Sequence, residues 1–308
     1  MDALRVLMVT AILASPWTAL AQQSSAPEWQ IKAGGKMSFE VASVKPDSGP
    51  FRPPSFPLDA GGAYRPTGGR FTADFSLFTY ITFAYKLNLA PDQRQALLAH
   101  APKWVSEDRY AIEARAPTNN PTKDQMRLMM QSLLAERFGL AVHFETQTVA
   151  AFTLVLAKPG KLGPQLRPHD EGPPCDQEPS SAGDKAAGRP EVFPGQCESY
   201  GMMGQANGMR IAGSRNTTLE LLASVIPSFG GVSRPVVDHT GLTGRFDFKL
   251  EWMPESTSTP PPGANPQPEP AGPTFFQALK EQLGLQLEAT KAPLPVLVID
   301  HVERPSEN

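Results

Sequence analysis

Cysteine, charge of one sign and long apolar runs are all scarce in this chain. Its 28 Lys and Arg nearly balance 31 Asp and Glu, for a formal net charge of −3. The basic residues are scattered, with no run of five or six, so there is no electrostatic footprint for nucleic acid or anionic lipid. No apolar stretch approaches the ~20 residues of a membrane span. Neither H-E-x-x-H nor H-x-H occurs, and there is no acidic loop of calcium-binding form. The five histidines, His100, His143, His169, His239 and His301, stand far apart. No G-x-S-x-G elbow is present, and Gly68-Gly69, Gly230-Gly231 and Gly241-Leu242-Thr243-Gly244 match neither dinucleotide nor Walker loops. No cofactor and no metal site is therefore expected, although ligands brought together only in three dimensions escape such a reading.

The amino terminus is read as a leader. Met1–Arg5 is weakly basic, Val6–Ala14 is apolar but short, Pro16 interrupts, and Ala19-Leu20-Ala21 supplies an A-x-A cleavage pattern. Residues 1–21 are thus expected to be a signal peptide, and the mature chain to be periplasmic or extracellular. A membrane anchor is the alternative, which the length of the run disfavours. The two cysteines, Cys175 and Cys197, then read as a disulfide. Such a bond closes a loop of about two dozen residues, worth roughly 3 kcal/mol in the chain-entropy account. Two thiols alone make no zinc site, and His169 is the only imidazole near them in sequence.

What the chain has in excess is proline, 33 residues, roughly double the ~5% of average proteins. The prolines cluster at 46–66, 159–204 and 255–273. Between the clusters the chain says the same thing twice. Leu133–Leu140 reads LLAERFGL and Ala278–Leu285 reads ALKEQLGL, each ending an amphipathic helix at a Gly. Arg109–Ala114 and Arg245–Leu250 each open an alternating strand on a basic residue. Thr122-x-x-Gln125, Thr217-x-x-Glu220 and Thr274-x-x-Gln277 read as capping boxes, and Pro227 as a helix stop.

The expected fold is α+β in two related halves, each β-α-β-α-β-β, with two helices on small mixed or antiparallel sheets. A polar spacer (22–36) leads into the first half, 37–158. A Pro/Gly loop with the cysteines (159–204) precedes the second half, 205–304, and 255–273 is a low-complexity insert. The closing strands of each half are read as pairs: Leu140–Thr146 with Ala151–Ala157, and Leu285–Glu288 with Pro295–Asp300.

Chemistry has few candidates. Asp238-His239 and Asp300-His301 are the places where a carboxylate adjoins an imidazole. Strand neighbours point to opposite faces, so Asp300 cannot orient His301 in a simple strand. Asp238 and His239 are retained as polar candidates. Glu145, Asp247 and Glu251 qualify by residue type alone; on a half-solvated strand such charges line the wet face, and no role is assigned to them.

Phe39–Pro46 (FEVASVKP), Trp104 before Arg109-Tyr110, LLAERFGL with His143 and Glu145 beyond, Pro235–Phe248 (PVVDHTGLTGRFDF), Gln282–Leu285 and Val298–Asn308 together carry a resemblance. The chain resembles an uncharacterised exported family expanded in soil Acidobacteria. A similar domain occurs fused to membrane antirepressor-type metallopeptidases, which implies an extracytoplasmic sensing or binding role. It implies no catalytic residues. The α-β-β units also resemble, in element order, the amino-terminal signalling domain of secretins and TonB-dependent receptors. The expectation is an exported, non-enzymatic binding protein with an envelope protein as partner; the alternative is an envelope hydrolase with a site between the halves.

Overall fold

The computed structural model describes residues 27–171, 175, 197, 198, 200–254 and 272–305. The leader lies outside these residues, as does most of the 255–273 insert. A one-turn helix, Glu28–Lys32 (α1), stands where a spacer is expected. Among the described residues no helix is long and apolar enough to cross a membrane.

Alternation builds the first sheet. Val41–Pro46 (β1), Arg70–Ser76 (β2) and Arg109–Arg115 (β3) pair antiparallel in the order β1-β3-β2. Val44 and Ala73 both stand opposite Ile112, so one face is apolar across all three strands. Leu77–Ala84 (α2), Pro91–Leu98 (α3) and Trp104–Glu107 (α4) lie between β2 and β3. The buried Tyr80 of α2 donates to the Tyr110 carbonyl at 2.7 Å and accepts the Phe75 N–H at 3.0 Å, which ties this helix to β2 and β3. Lys123–Phe138 (α5) starts on the expected capping box, with Thr122 and Gln125 bonding each other's backbone, and ends at Gly139 with φ 56°. Its Met126, Met129, Met130, Leu133, Leu134 and Phe138 are buried in the first core. Ala141–Leu156 (β4) follows.

The second sheet has the order β5-β9-β7-β6, from Leu166–Pro168 (β5), Tyr200–Gly204 (β6), Arg210–Thr217 (β7) and Phe246–Trp252 (β9). The stretch read as a loop thus gives both outer strands. Between β7 and β9 come Leu219–Gly230 (α6) and Val236–Asp238 (β8). The cap of α6 is Thr218, one residue later than expected, with its side chain accepting from Leu221 N. Pro227 does not stop α6. It forfeits one backbone bond, yet Ile226 and Phe229 beside it are 0% and 2% exposed, so burial of the last turn outweighs the loss. Phe275–Ala278 (α7) begins on a second complete capping box and continues as a π turn, Leu279–Leu283, ending at Gly284 with φ 72°. Gly284 also faces Gly163, where an added Cβ would lie 2.6 Å from the Gly163 nitrogen, so no larger residue fits.

Leu285–His301 (β10) corrects the reading of paired closing strands. β4 and β10 are each a single strand, antiparallel to one another from Leu156↔Leu285 to Ala141↔His301. Thr148 pairs with Pro293 at the middle, and lies nine residues after Gly139 as Pro293 lies nine after Gly284. Pro293 and Pro295 are tolerated because β10 is an outer strand in the order β10-β4-β8. Each strand crosses from one core to the other. Leu140 and Leu297 are in the first core, while Leu154 and Leu285 are in the second, which holds α6, α7 and β9.

Candidate functional site

The second sheet carries the densest chemistry, on the face turned away from its core. Phe246, Phe248, Leu250 and Trp252 of β9 point inward and are buried. Asp247 points the other way, yet it is only 5% exposed. Three distant pieces of chain cover it.

The first piece is β7. Its register against β9 slips between Ser214 and Thr217, and in the bulge Asn216 adopts φ 52°. This turns the Asn216 N–H onto Asp247 Oδ1 at 2.9 Å. The second is the short 3-10 turn His169–Glu171 that follows β5. His169 N donates to the Arg245 carbonyl at 2.9 Å, and its ring Nδ1 lies 2.6 Å from Asp247 Oδ1. The third is the disulfide. Cys175 and Cys197 are bonded, with Cα atoms 5.7 Å apart, and Cys175 Sγ lies 3.3 Å from His169 Nε2. The residue after the second cysteine, Glu198, has φ 57° and donates its N–H to the Arg215 carbonyl at 2.9 Å. Arg245 binds the Asn216 carbonyl at 2.8 Å and lies 3.7 Å from Glu198, which closes the ring of contacts.

The result is a carboxylate–imidazole–sulfur line running from a buried strand outward. A carboxylate that accepts from Nδ1 fixes both the orientation and the tautomer of the ring, leaving Nε2 for whatever lies beyond. Asp247 Oδ2 is buried and has no hydrogen-bond partner among the described residues.

The pair chosen from sequence does something else. Asp238 Oδ1 accepts the Thr240 N–H at 2.9 Å, and Thr240 Oγ1 accepts the Leu242 N–H at 3.2 Å. His239 is exposed and donates its backbone N–H to the Leu154 carbonyl at 2.9 Å. Asp238-His239 thus closes β8 and opens the turn through Gly241 and Gly244, with φ 70° and 103°. Asp300 orients an imidazole, but His143 across the ladder rather than His301, at 2.9 Å on an exposed face. Glu145 is exposed, and Glu251 pairs with Lys249 at 2.7 Å.

A second polar cluster lies in the first half. Lys123 and Arg127 of α5 are 2% and 0% exposed. Lys123 Nζ reaches Asp59 at 3.0 Å and the Ala63 carbonyl at 3.3 Å. Arg127 donates to the Asp59 and Gly61 carbonyls at 3.0 and 2.8 Å and pairs with Asp124. Burial pulls both cations below their usual pKa ranges, against the opposing pull of Asp59 and Asp124. All their named partners belong to the Pro/Gly loop or to α5, so they read as anchors of that loop.

Sequence reasoning named Asp247 by residue type alone and gave it no role, because its cover comes from residues about 30 to 80 positions away. The one local signal was His169 six residues before Cys175.

Fold and site together define a two-core α+β protein with a histidine–aspartate pair set against a disulfide. The chain belongs to the family described as protein of unknown function (DUF3738), whose model matches residues 79–302 and so spans the whole site. No curated protein and no solved structure matches the chain.

Proposed function

We propose that the chain is an exported, non-enzymatic binding protein of the cell envelope or extracellular space, and that it takes up an extended segment of an envelope protein along β6. The observation that carries this reading is the character of that strand. β6 is the outer strand of its sheet, pairs with β7 alone among the described residues, and reads YGMMG without a charge. Met202 and Met203 are 47% and 50% exposed. Free edges are ordinarily blunted by charge, Pro or a cover, because their unpaired N–H and C=O groups invite another strand. An uncharged edge with adaptable thioether side chains is suited to strand addition, in which main-chain bonds give affinity and side-chain pockets give choice.

The leader-like amino terminus and the disulfide support export, as does the resemblance to domains fused to membrane metallopeptidases. The resemblance to signalling domains supports an interaction role, as does the repeated helix ending, LLAERFGL and ALKEQLGL, from which we infer an internal duplication. The strand before the capped helix is central in β1-β3-β2 and is one of two inner strands in β5-β9-β7-β6, and in each case the strand after the helix crosses to the other core. The hydrolase alternative needs a site between the halves, whereas the buried cations Lys123 and Arg127 lie within the first half and are engaged with the 59–63 loop.

The test is a photo-crosslinking residue at Met203 in the mature protein, offered envelope extract. One envelope protein captured at this position, and lost when Met202→Lys and Gly204→Glu, the latter at a glycine with open space around an added Cβ, are introduced without a change in Tm, is the expected result. Capture that ignores these charges would reject β6 as the binding edge.

A further inference from the structure

The His169 ring is held more firmly than a loop staple requires. Asp247 Oδ1 takes one N–H from Asn216 at 2.9 Å and faces His169 Nδ1 at 2.6 Å, so it acts as acceptor to both. With its proton on Nδ1, the imidazole presents a lone pair at Nε2. The atom facing that lone pair is Cys175 Sγ, 3.3 Å away, and a disulfide sulfur has no hydrogen to offer. In the disulfide form the acceptor therefore faces no donor among the described residues.

We propose that Cys175 and Cys197, once reduced, join His169 as ligands of a zinc-type divalent cation, so that this corner of the fold alternates between a disulfide and a metal–thiolate centre. The ligand atoms, His169 Nε2 and the two Sγ, already lie within 4.8 Å of one another. A tetrahedral site with Zn–S near ~2.3 Å and Zn–N near ~2.0 Å asks for N···S separations of roughly 3.5 Å and an S···S separation of roughly 3.8 Å. His169 Nε2 and Cys175 Sγ, at 3.3 Å, stand close to that; the two sulfurs must part, and Cys197 Sγ, within 4.8 Å of Nε2, must settle at a like distance. Asp247 supplies the outer carboxylate that zinc-bound histidines regularly engage through their other ring nitrogen. It also carries a charge that a dication would offset, since Oδ2 is buried without a hydrogen-bond partner among the described residues. Cys175 is exposed, which leaves the fourth position open to water or a ligand.

The chemistry balances with a dithiol as reductant. Two electrons and two protons pass from the dithiol to the disulfide, giving two cysteine thiols and a cyclic disulfide. The cation then displaces the two thiol protons, and the neutral imidazole binds without losing its Nδ1 proton.

The experiment uses the mature chain reduced with a phosphine and titrated anaerobically with Co2+, then Zn2+. One Co2+ per chain is expected, with a thiolate-to-cobalt charge-transfer band that Zn2+ abolishes; the oxidised chain should give none. His169→Gln and Cys197→Ser should each remove the band, and Asp247→Asn should weaken binding by about 10–100-fold. If the reduced chain stays folded and shows no band, or if His169→Gln binds as tightly as wild type, the proposal fails. If reduction unfolds the chain, Zn2+ must restore a cooperative thermal transition; no restoration overturns the proposal equally.

Discussion

Two Pro/Gly-rich stretches, 46–66 beside the first core and the described ends of 159–204 beside the second, are held by different chemistry. In the first half the loop is held by charge. Lys123 and Arg127, buried on α5, grip Asp59 and the carbonyls of Asp59, Gly61 and Ala63. In the second half the hold is covalent, the Cys175–Cys197 bond, with His169 and Asp247 beneath it. The corresponding helix is short there: α7 and its π turn run from Phe275 to Leu283, against sixteen residues for α5. Lys123 and Arg127 lie four residues apart on α5, which places both cations against the 59–63 loop. A covalent bond fixes a loop without such a helix, but makes it sensitive to reductant.

The charged anchor of the first half should be the most costly to break. Arg127→Met leaves two loop carbonyls without their buried donor and Asp124 with Lys86 as its remaining cation, and should cost about 3–5 kcal/mol in denaturant unfolding. A loss under ~1 kcal/mol would mean that the loop is held by something other than charge. Leu134→Ala and Leu279→Ala remove fully buried side chains at matching places in the two cores, and each should cost about 2–5 kcal/mol. Unequal losses would argue that one core is peripheral, and a superposition of 109–157 on 245–300 with a different element order would end the duplication reading. Reducing the disulfide should lower stability by about 3 kcal/mol and raise amide exchange around 166–171 and 197–204, while the 46–66 loop stays protected. Exchange that rises equally in both loops would show that the two anchors act as one.

The smallest effect concerns the arm shared by both halves. The hydrogen bond to Asp300 raises the His143 pKa above its ordinary value of 6.5. A raised folded-state pKa adds stability that is full below 6.5 and is lost as pH climbs through the folded value. His143→Asn should therefore lower Tm slightly at pH 5 and not at all at pH 9. An equal shift at both pH values would assign the effect to packing rather than charge.

Helix ends were the most legible part of the fold. Thr122, Thr274, Gly139 and Gly284 cap their helices as local rules require, because a cap satisfies orphan backbone groups within four residues of itself. Thr218 in place of Thr217, and the survival of α6 past Pro227, show where the rules yield, since burial of Phe229 is a tertiary gain that no local pattern contains. The site was barely legible. Asp238 and His239 are neighbours in sequence and form a turn, whereas Asp247 and His169 meet only because β5 lies beside β9.

The sequence alone determined the α+β class, the helix boundaries set by caps, the pairing of the two cysteines and the repetition of one helix ending, all of which depend on interactions within a few residues or on a choice of one. Tertiary structure alone decided that β4 and β10 are single strands shared by both cores. Their middles, around Thr148 and Pro293, have too little apolar content to be read as strand, and are held in the ladder by each other's backbone. It also decided that Asp247 is buried and set on His169, because a carboxylate on the outer face of a strand is wet or dry according to what distant chain folds across it.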